Sequence, residues 1–474
     1  MGRLGHVPLW PNYFSGNKPH YNLFLLEGRN LYDKNGHKIE CTTYQDVRTT
    51  LLHSRGIAFV QSLSTDIRLL HEILQISRDK VSCSKNGVPI SLQIKERNQR
   101  RKIIQATAWG ERTVADISFL QYLENVYAEC NIGIYGTPGA LGKGLMFDTW
   151  YRHMFSSYTS PNQTACNYLK QHGFGGRCDT PGIGQTFPVA IELDMSSAYL
   201  AHSFPLPVGT SLPFTDGNVE RFATWFGRVK ITIHNELALG PFPLRLSQRK
   251  EKITYPTLPG VYYSYLWKEQ AEDCLQAGCN IEVENGFGWK EFSNDMETFA
   301  REAYQLRMSL FGTAEEDGIK KAIVASFGRF GMNGEFYSLT STCSPGDIWL
   351  PTPQGPTGLY IHKEPHDYSQ PSMMHWYSYI LMQCARTLYK IALPYAIEGR
   401  LIATNYDAVF VVEKDESKQY VRKYTLAAQS AKMAELRWSR LRNFECLDDR
   451  SYKAQLEMPD GLLYHRQITP GISH

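Results

Sequence analysis

Asp194 closes a short, largely apolar run at residues 189–193, and Asp407 stands at the turn of a second apolar stretch at 400–412. A carboxylate at the end of a buried strand and another in a hairpin turn can reach one point if the two strands are neighbours. Phosphoryl transfer to a 3′-hydroxyl needs such a pair. It uses two divalent cations about 3.5–4 Å apart, one activating the attacking hydroxyl and both offsetting the developing charge. Magnesium, or manganese in its place, takes hard oxygen ligands: one or two carboxylates completed by substrate phosphates and water. The triphosphate also needs protein cations, best carried on an element that can close over it. Arg307 and Lys320 lie between the two aspartates in sequence, on what read as two helices. A strand-end aspartate is equally an ordinary turn residue, so the surrounding strings have to decide.

Six strings occur in order. Gly173-Phe174-Gly175-Gly176-Arg177 precedes Asp194-Met195-Ser196-Ser197-Ala198-Tyr199-Leu200. Lys320-Lys321-Ala322-Ile323-Val324-Ala325-Ser326-Phe327-Gly328-Arg329-Phe330 comes next, then Met382-Gln383-Cys384-Ala385-Arg386, Thr404-Asn405-Tyr406-Asp407-Ala408 and Arg450-Ser451-Tyr452. They resemble, in turn, the YxGG(R) loop, DxxSLYP, KxxxNSxYG, Tx2(A/G)R, YxDTDS and KxY elements of family B DNA polymerases. Each string alone has low specificity; the ordered set, over about residues 165–455, is specific. The compactness of the chain is most similar to the protein-primed branch of phages and linear plasmids.

The resemblance implies roles. Asp194 and Asp407 would hold two Mg²⁺ (or Mn²⁺) ions. The backbone after Asp194, with Ser197, would cradle the triphosphate, and Tyr199 would pack under the sugar and exclude a 2′-hydroxyl. Lys320 would bind the triphosphate and protonate the leaving pyrophosphate, Arg307 would be a second contact, and Phe327 would stack near the nascent base pair. Phe174, Gly175, Gly176 and Arg177 would grip template, and Arg386, Arg450 and Tyr452 would position DNA backbone. The implied partners are DNA template and primer, dNTPs, and a terminal (priming) protein or processivity partner. Several positions depart from the family pattern. Asn405 replaces the first motif C aspartate, Val324 the motif B asparagine, Gly173 the loop tyrosine, Met382 the threonine before Arg386, and Arg450 a lysine whose charge it keeps without its geometry.

The elements that must position these residues follow from periodicity. Residues 295–310 space Met296, Phe299, Ala303 and Leu306 along one helical face. With a turn at 312–318 and a second helix from 319, residues 295–330 read as a helical hairpin. Residues 372–397 read as a long helix, 228–233 and 260–267 as strands, and 400–412 as a β-hairpin. The implied fold is α+β, a right-hand polymerase fold. It has a palm with an antiparallel sheet (187–294 and 372–445), helical-hairpin fingers (295–330), an inserted loop region (331–371) and a reduced, vestigial thumb (446–474). A linker and the Gly-rich template loop (131–186) precede the palm. Residues 1–130 read as a mixed α/β unit where the family keeps an RNase H-like exonuclease. Glu27, Asp66 and Asp116 are the candidate carboxylates there, too few for the usual four, so a domain without proofreading is expected.

Composition is neutral on nucleic acid. The net charge of +3 does not argue for it, and a basic groove can sit inside a balanced total. Ten scattered cysteines without a CxxC pair argue against a zinc site or disulfide framework and for a reducing, cytoplasmic setting. No 18-residue apolar stretch predicts a membrane span. Gly139, Gly142, Lys143 and Gly144 lack GxxxxGK[ST] spacing, so a Walker-type phosphate loop is rejected. The alternating Tyr262, Tyr263, Tyr265 and Trp267 read as core, the basic run Arg97–Lys102 as a solvated face or DNA contact, and His172 as a surface histidine or phosphate contact. Two rival functions stay open from sequence: a template-independent nucleotidyltransferase in defence or signalling, and a non-catalytic nucleic-acid-binding scaffold.

Overall fold

The computed structural model describes residues 22–63, 72, 79–83, 86–96, 99–109, 113–130, 136–146, 163–215, 218–246, 253–331, 337–352, 355–363, 373–413, 433, 436–447, 451–458 and 460–468. The described residues carry 25 strands, numbered β1–β25 along the chain. They fall into two compact units, one within Met1–His153 and Ser309–Pro371, the other within Met154–Met308 and Ser372–Ser473.

The first unit is built on a ten-stranded sheet. β1 (Asn22–Glu27), β2 (Asn30–Asp33) and β3 (Lys38–Ile39) form an antiparallel meander. β4 (Gly56–Val60) lies parallel to β1, and β7 (Gln99–Gln105) parallel to β4. β1 is apolar and buried from Leu23 to Leu26, as a strand covered on both faces must be. The helix Tyr44–His53 between β2–β3 and β4 starts at a capping box of Thr43 and Asp46. β5 (Lys80–Cys83) and β6 (Pro89–Glu96) extend the sheet beyond β7.

Three further strands come from the region expected to be an inserted loop. β18 (Tyr337–Thr340) pairs with β5 and with β20 (Gly355–Lys363), and β19 (Ile348–Thr352) closes the edge beyond β20. Leu339, Leu359 and Ile361 share one core with Phe24, Val47, Leu92 and Ile103. The expectation of a loop at 331–371 is corrected: much of it is sheet, completing the N-terminal core. The glycine-rich 131–146 segment, expected to be a linker, contains the helix Pro138–Lys143, which packs against the helix Ala314–Phe330. Gly142 permits that approach, since a Cβ there would lie 2.1 Å from the Ala322 carbonyl oxygen.

The second unit holds a seven-stranded antiparallel sheet in the order β25-β24-β23-β9-β22-β21-β8. Its members are β8 (Cys178–Asp179), β9 (Thr186–Met195), β21 (Leu401–Asn405), β22 (Ala408–Val412), β23 (Leu436–Cys446), β24 (Tyr452–Glu457) and β25 (Leu463–Ile468). The helix Met374–Ile397 packs against β21 and β22. The C-terminal hairpin β24–β25, read as a vestigial thumb, continues this sheet through β23.

Residues 206–293, assigned to the palm from sequence, contain a separate four-stranded sheet. It is formed by β11 (Leu212–Phe214), β16 (Asn280–Trp289), β12 (Thr224–Ile233) and β15 (Gly260–Trp267), with the helix Lys268–Gln276 beside it. Trp225, Val229, Ile231, Phe242, Leu266 and Cys274 form its own core. No helix among the described residues is long and apolar enough to cross a membrane.

Candidate active site

β9 is the central strand of the seven. Asp194, its penultimate residue, stands opposite Ala408 of β22 on one side and Arg437 of β23 on the other. Asp407 immediately precedes β22, and its carbonyl accepts the Met195 N–H at 2.8 Å. The two aspartates are therefore backbone neighbours on adjoining chains, with Cα atoms about 6 Å apart by strand geometry. The two carboxylates have different surroundings. Asp194 acts on Glu192, Tyr452 and Arg466, and Asp407 on Tyr199 and Cys384.

The Asp407 turn is built with the glycine loop. Tyr406 has φ +51°, a left-handed conformation uncommon for an aromatic residue, and its N–H donates to the Arg177 carbonyl at 2.9 Å. Cys178 and Asp179 of β8 pair with Asn405 and Thr404 of β21. Gly176 lies against the Tyr406 ring, where an added Cβ would meet Cδ1 at 2.6 Å, whereas Gly175 has open space around it. Gly176→Ala should push Tyr406 aside and disturb the Asp407 turn. The expected outcome is at least about a tenfold loss of any activity that depends on Asp407, with a melting temperature within a few degrees of wild type.

After β9 the chain turns at Ser196 and Ser197 into the short helix Ala198–Ala201. Ser197 has φ +52°. Two arginines hold this turn. Arg307, buried in the last turn of the helix Met296–Ser309, donates through Nη1 to Ser197 Oγ at 2.8 Å. Arg437 donates through Nη2 to Ser196 Oγ at 2.8 Å. Tyr199 is half-buried; burial, then the nearby Cys384 and Asp407, pushes its phenol up, so it stays a neutral ring beside Asp407.

Glu192, two residues before Asp194, was not singled out in the sequence. It is 3% exposed and accepts from both Arg466 nitrogens, at 2.5 and 3.0 Å. Burial pushes its carboxyl up, and the Arg466 guanidinium opposes that shift. The signal available in sequence was a lone glutamate in an otherwise apolar strand; its partner, 274 residues away, was not legible.

The other site residues divide. Arg177, expected to grip template, is 1% exposed. It donates to the Gly240 carbonyl and to Asp179, and its guanidinium lies 4.0 Å from the Tyr255 ring centroid. These contacts hold the loop from within, and the side chain is not exposed for a template contact. Arg386, expected on DNA backbone, binds Asp273 through Nε at 2.5 Å and lies 3.7 Å from Glu272, so its charge is spent inside the protein. Tyr452 packs its ring in the core against Phe410 and Phe444, with its hydroxyl buried beside Arg466. Phe174 lies under the Arg245 guanidinium at 4.8 Å. Lys320 is exposed and Phe327 is 2% exposed against Phe330; both belong to the first unit. Arg450 lies outside the described residues, as does Asp66. Asp116 accepts from the Phe119 N–H and the Ser118 hydroxyl at the start of the helix Ile117–Cys130. Among the described residues no group of three or more His, Cys, Asp and Glu side chains forms a self-sufficient metal cage. Paired carboxylates completed by substrate oxygens would suit magnesium, which keeps few protein ligands.

This architecture matches the fold of solved DNA polymerase structures. Solved structures of Phi29 DNA polymerase match it at a TM-score of 0.69 in the complex with primer-template DNA and 0.68 in the ternary complex with incoming nucleotide substrates. In both, 96% of this chain and 93% of the other are covered at 11% identity. No family model matches the sequence, and no curated protein matches it.

Proposed function

We propose that the chain is a DNA-directed DNA polymerase that adds deoxynucleotides to a hydroxyl primer by two-metal-ion catalysis. The observation that carries this reading is the β9–β22 register, which puts Asp194 beside Asp407 on adjoining strands. The fold likeness supports it, because the matched Phi29 structures hold primer-template DNA and nucleotide.

In this reading Asp194 and Asp407 hold two Mg²⁺ or Mn²⁺ ions, which when bound activate the 3′-hydroxyl and offset charge on the phosphates. The Ser196–Tyr199 turn receives the triphosphate, with Arg307 beside it. Tyr199 lies under the sugar. Gly175, with open space around it, lets a template phosphate approach the main chain. The β3-β2-β1-β4-β7 order, a meander continued by two parallel strands, supports an exonuclease-type ancestry for the first unit, in which the sequence offers only Glu27, Asp66 and Asp116 as candidate exonuclease carboxylates. The primer is a nucleic-acid end or the hydroxyl of a terminal protein.

Primer extension with purified chain, Mg²⁺ and each dNTP, with and without template, tests the proposal. Template-complementary products support it. Homopolymers without template would install the terminal-transferase reading, and DNA binding without incorporation the scaffold reading. Tyr199→Ala should raise ribonucleotide use at least tenfold relative to deoxynucleotide; equal discrimination in both enzymes would remove the sugar role.

A further inference from the structure

Arg437 stands directly across β23 from Asp194, so the two side chains emerge on the same face of the sheet with Cβ atoms about 5 Å apart. Its Nη2 holds Ser196, two residues beyond Asp194, while Arg307 holds the next residue, Ser197. Two guanidiniums from separate elements thus meet the one turn that follows a proposed metal ligand. Arg307 comes from a helix; Arg437 comes from a strand locked into the catalytic sheet by pairing on both sides.

We propose that Arg437 is a phosphate ligand of the active site. This rests on the polymerase reading and adds a residue to it. Any phosphate bound over this turn lies beside two carboxylates, and that placement needs fixed positive charge. A guanidinium carries five N–H donors in a planar fork matched to phosphate oxygens, so the Ser196 bond and a phosphate contact are compatible. The turn clamp orients the fork before substrate arrives. The phosphate belongs either to the incoming nucleoside triphosphate or to the terminal phosphodiester of the primer.

The test compares wild type, Arg437→Ala, Arg437→Lys and Ser196→Ala. Equilibrium binding is measured with Ca²⁺ replacing Mg²⁺, for primer-template and then for the complementary dNTP on the enzyme–DNA complex. Loss of one charge-assisted contact predicts about ten- to a hundredfold weaker binding for Arg437→Ala, partial recovery with lysine, and a much smaller effect for Ser196→Ala. Weakening confined to dNTP assigns the triphosphate; weakening confined to primer-template assigns the primer phosphate. Unchanged binding of both ligands by Arg437→Ala overturns the proposal. So does a Ser196→Ala loss equal to that of Arg437→Ala, which would make the arginine a clamp alone. Wild type that binds neither ligand would instead overturn the polymerase reading beneath it.

Discussion

Asp194→Ala and Asp407→Ala are each expected to lower nucleotide incorporation at least about a thousandfold while leaving primer-template binding within a few-fold of wild type. Removing a carboxylate that would hold the cations would forfeit several kcal/mol at the transition state, and each 1.4 kcal/mol is a factor of ten. Stability should not fall with activity. The two aspartates are backbone neighbours of like charge, so removing either relieves repulsion in the metal-free protein. Thermal melting without divalent ions should give a midpoint equal to wild type or higher. Inactive variants that melt well below wild type would mean that the carboxylates serve folding instead. Asp407→Asn is the stricter version, since it keeps the shape of the turn that Tyr406 and Gly176 set up.

The second large effect belongs to Arg466→Ala. The substitution leaves Glu192 buried in the central strand without its bidentate partner. Breaking a buried pair from one side costs about 3–5 kcal/mol. The lower end is expected here, because a third of the Arg466 side chain remains exposed. Denaturant unfolding measures the loss. The double variant Glu192→Leu/Arg466→Leu should recover most of it, since apolar replacement of both members removes the orphaned charge. Arg466→Ala with unchanged stability would show that the pair is solvated in solution. Because Glu192 faces the same side as Asp194, the single variant should also alter divalent-ion affinity, and the double variant should reset it.

These two predictions divide along what the sequence could reveal. The Asp194–Asp407 arrangement was legible because each aspartate sits in a local pattern. One ends an apolar strand found at Thr186–Met195, and the other lies at a hairpin turn between Leu401–Asn405 and Ala408–Val412. Helices at Met296–Ser309 and Met374–Ile397, and the strand Gly260–Trp267, were legible for the same reason. The second helix of the hairpin was placed too late. Gly312–Gly318 read as a turn, yet helix begins at Ala314, and Gly318 serves close packing within it: a Cβ there would lie 2.6 Å from the Tyr122 hydroxyl.

Non-local pairing stayed out of reach. Nothing in Tyr337–Thr340 or Gly355–Lys363 says that they complete the sheet of β1 and β5, and nothing in the C-terminal hairpin says that it extends the seven-stranded sheet. Arg466 and Arg437 acquire meaning only through that register. Arg177 and Arg386 show the converse limit: a motif match supplies the residue type but not its solvation, and both spend their charge inside the fold.

The central claim is that Asp194 and Asp407 jointly hold a cation pair. Mn²⁺ binding to the enzyme–primer-template–dNTP complex, with a dideoxy-terminated primer and electron paramagnetic resonance to count bound ions, tests it most directly. Wild type should bind two ions with the spin coupling of a close pair, and Asp194→Ala and Asp407→Ala should each abolish the coupling. Two uncoupled ions in wild type, or coupling that survives either substitution, would contradict it.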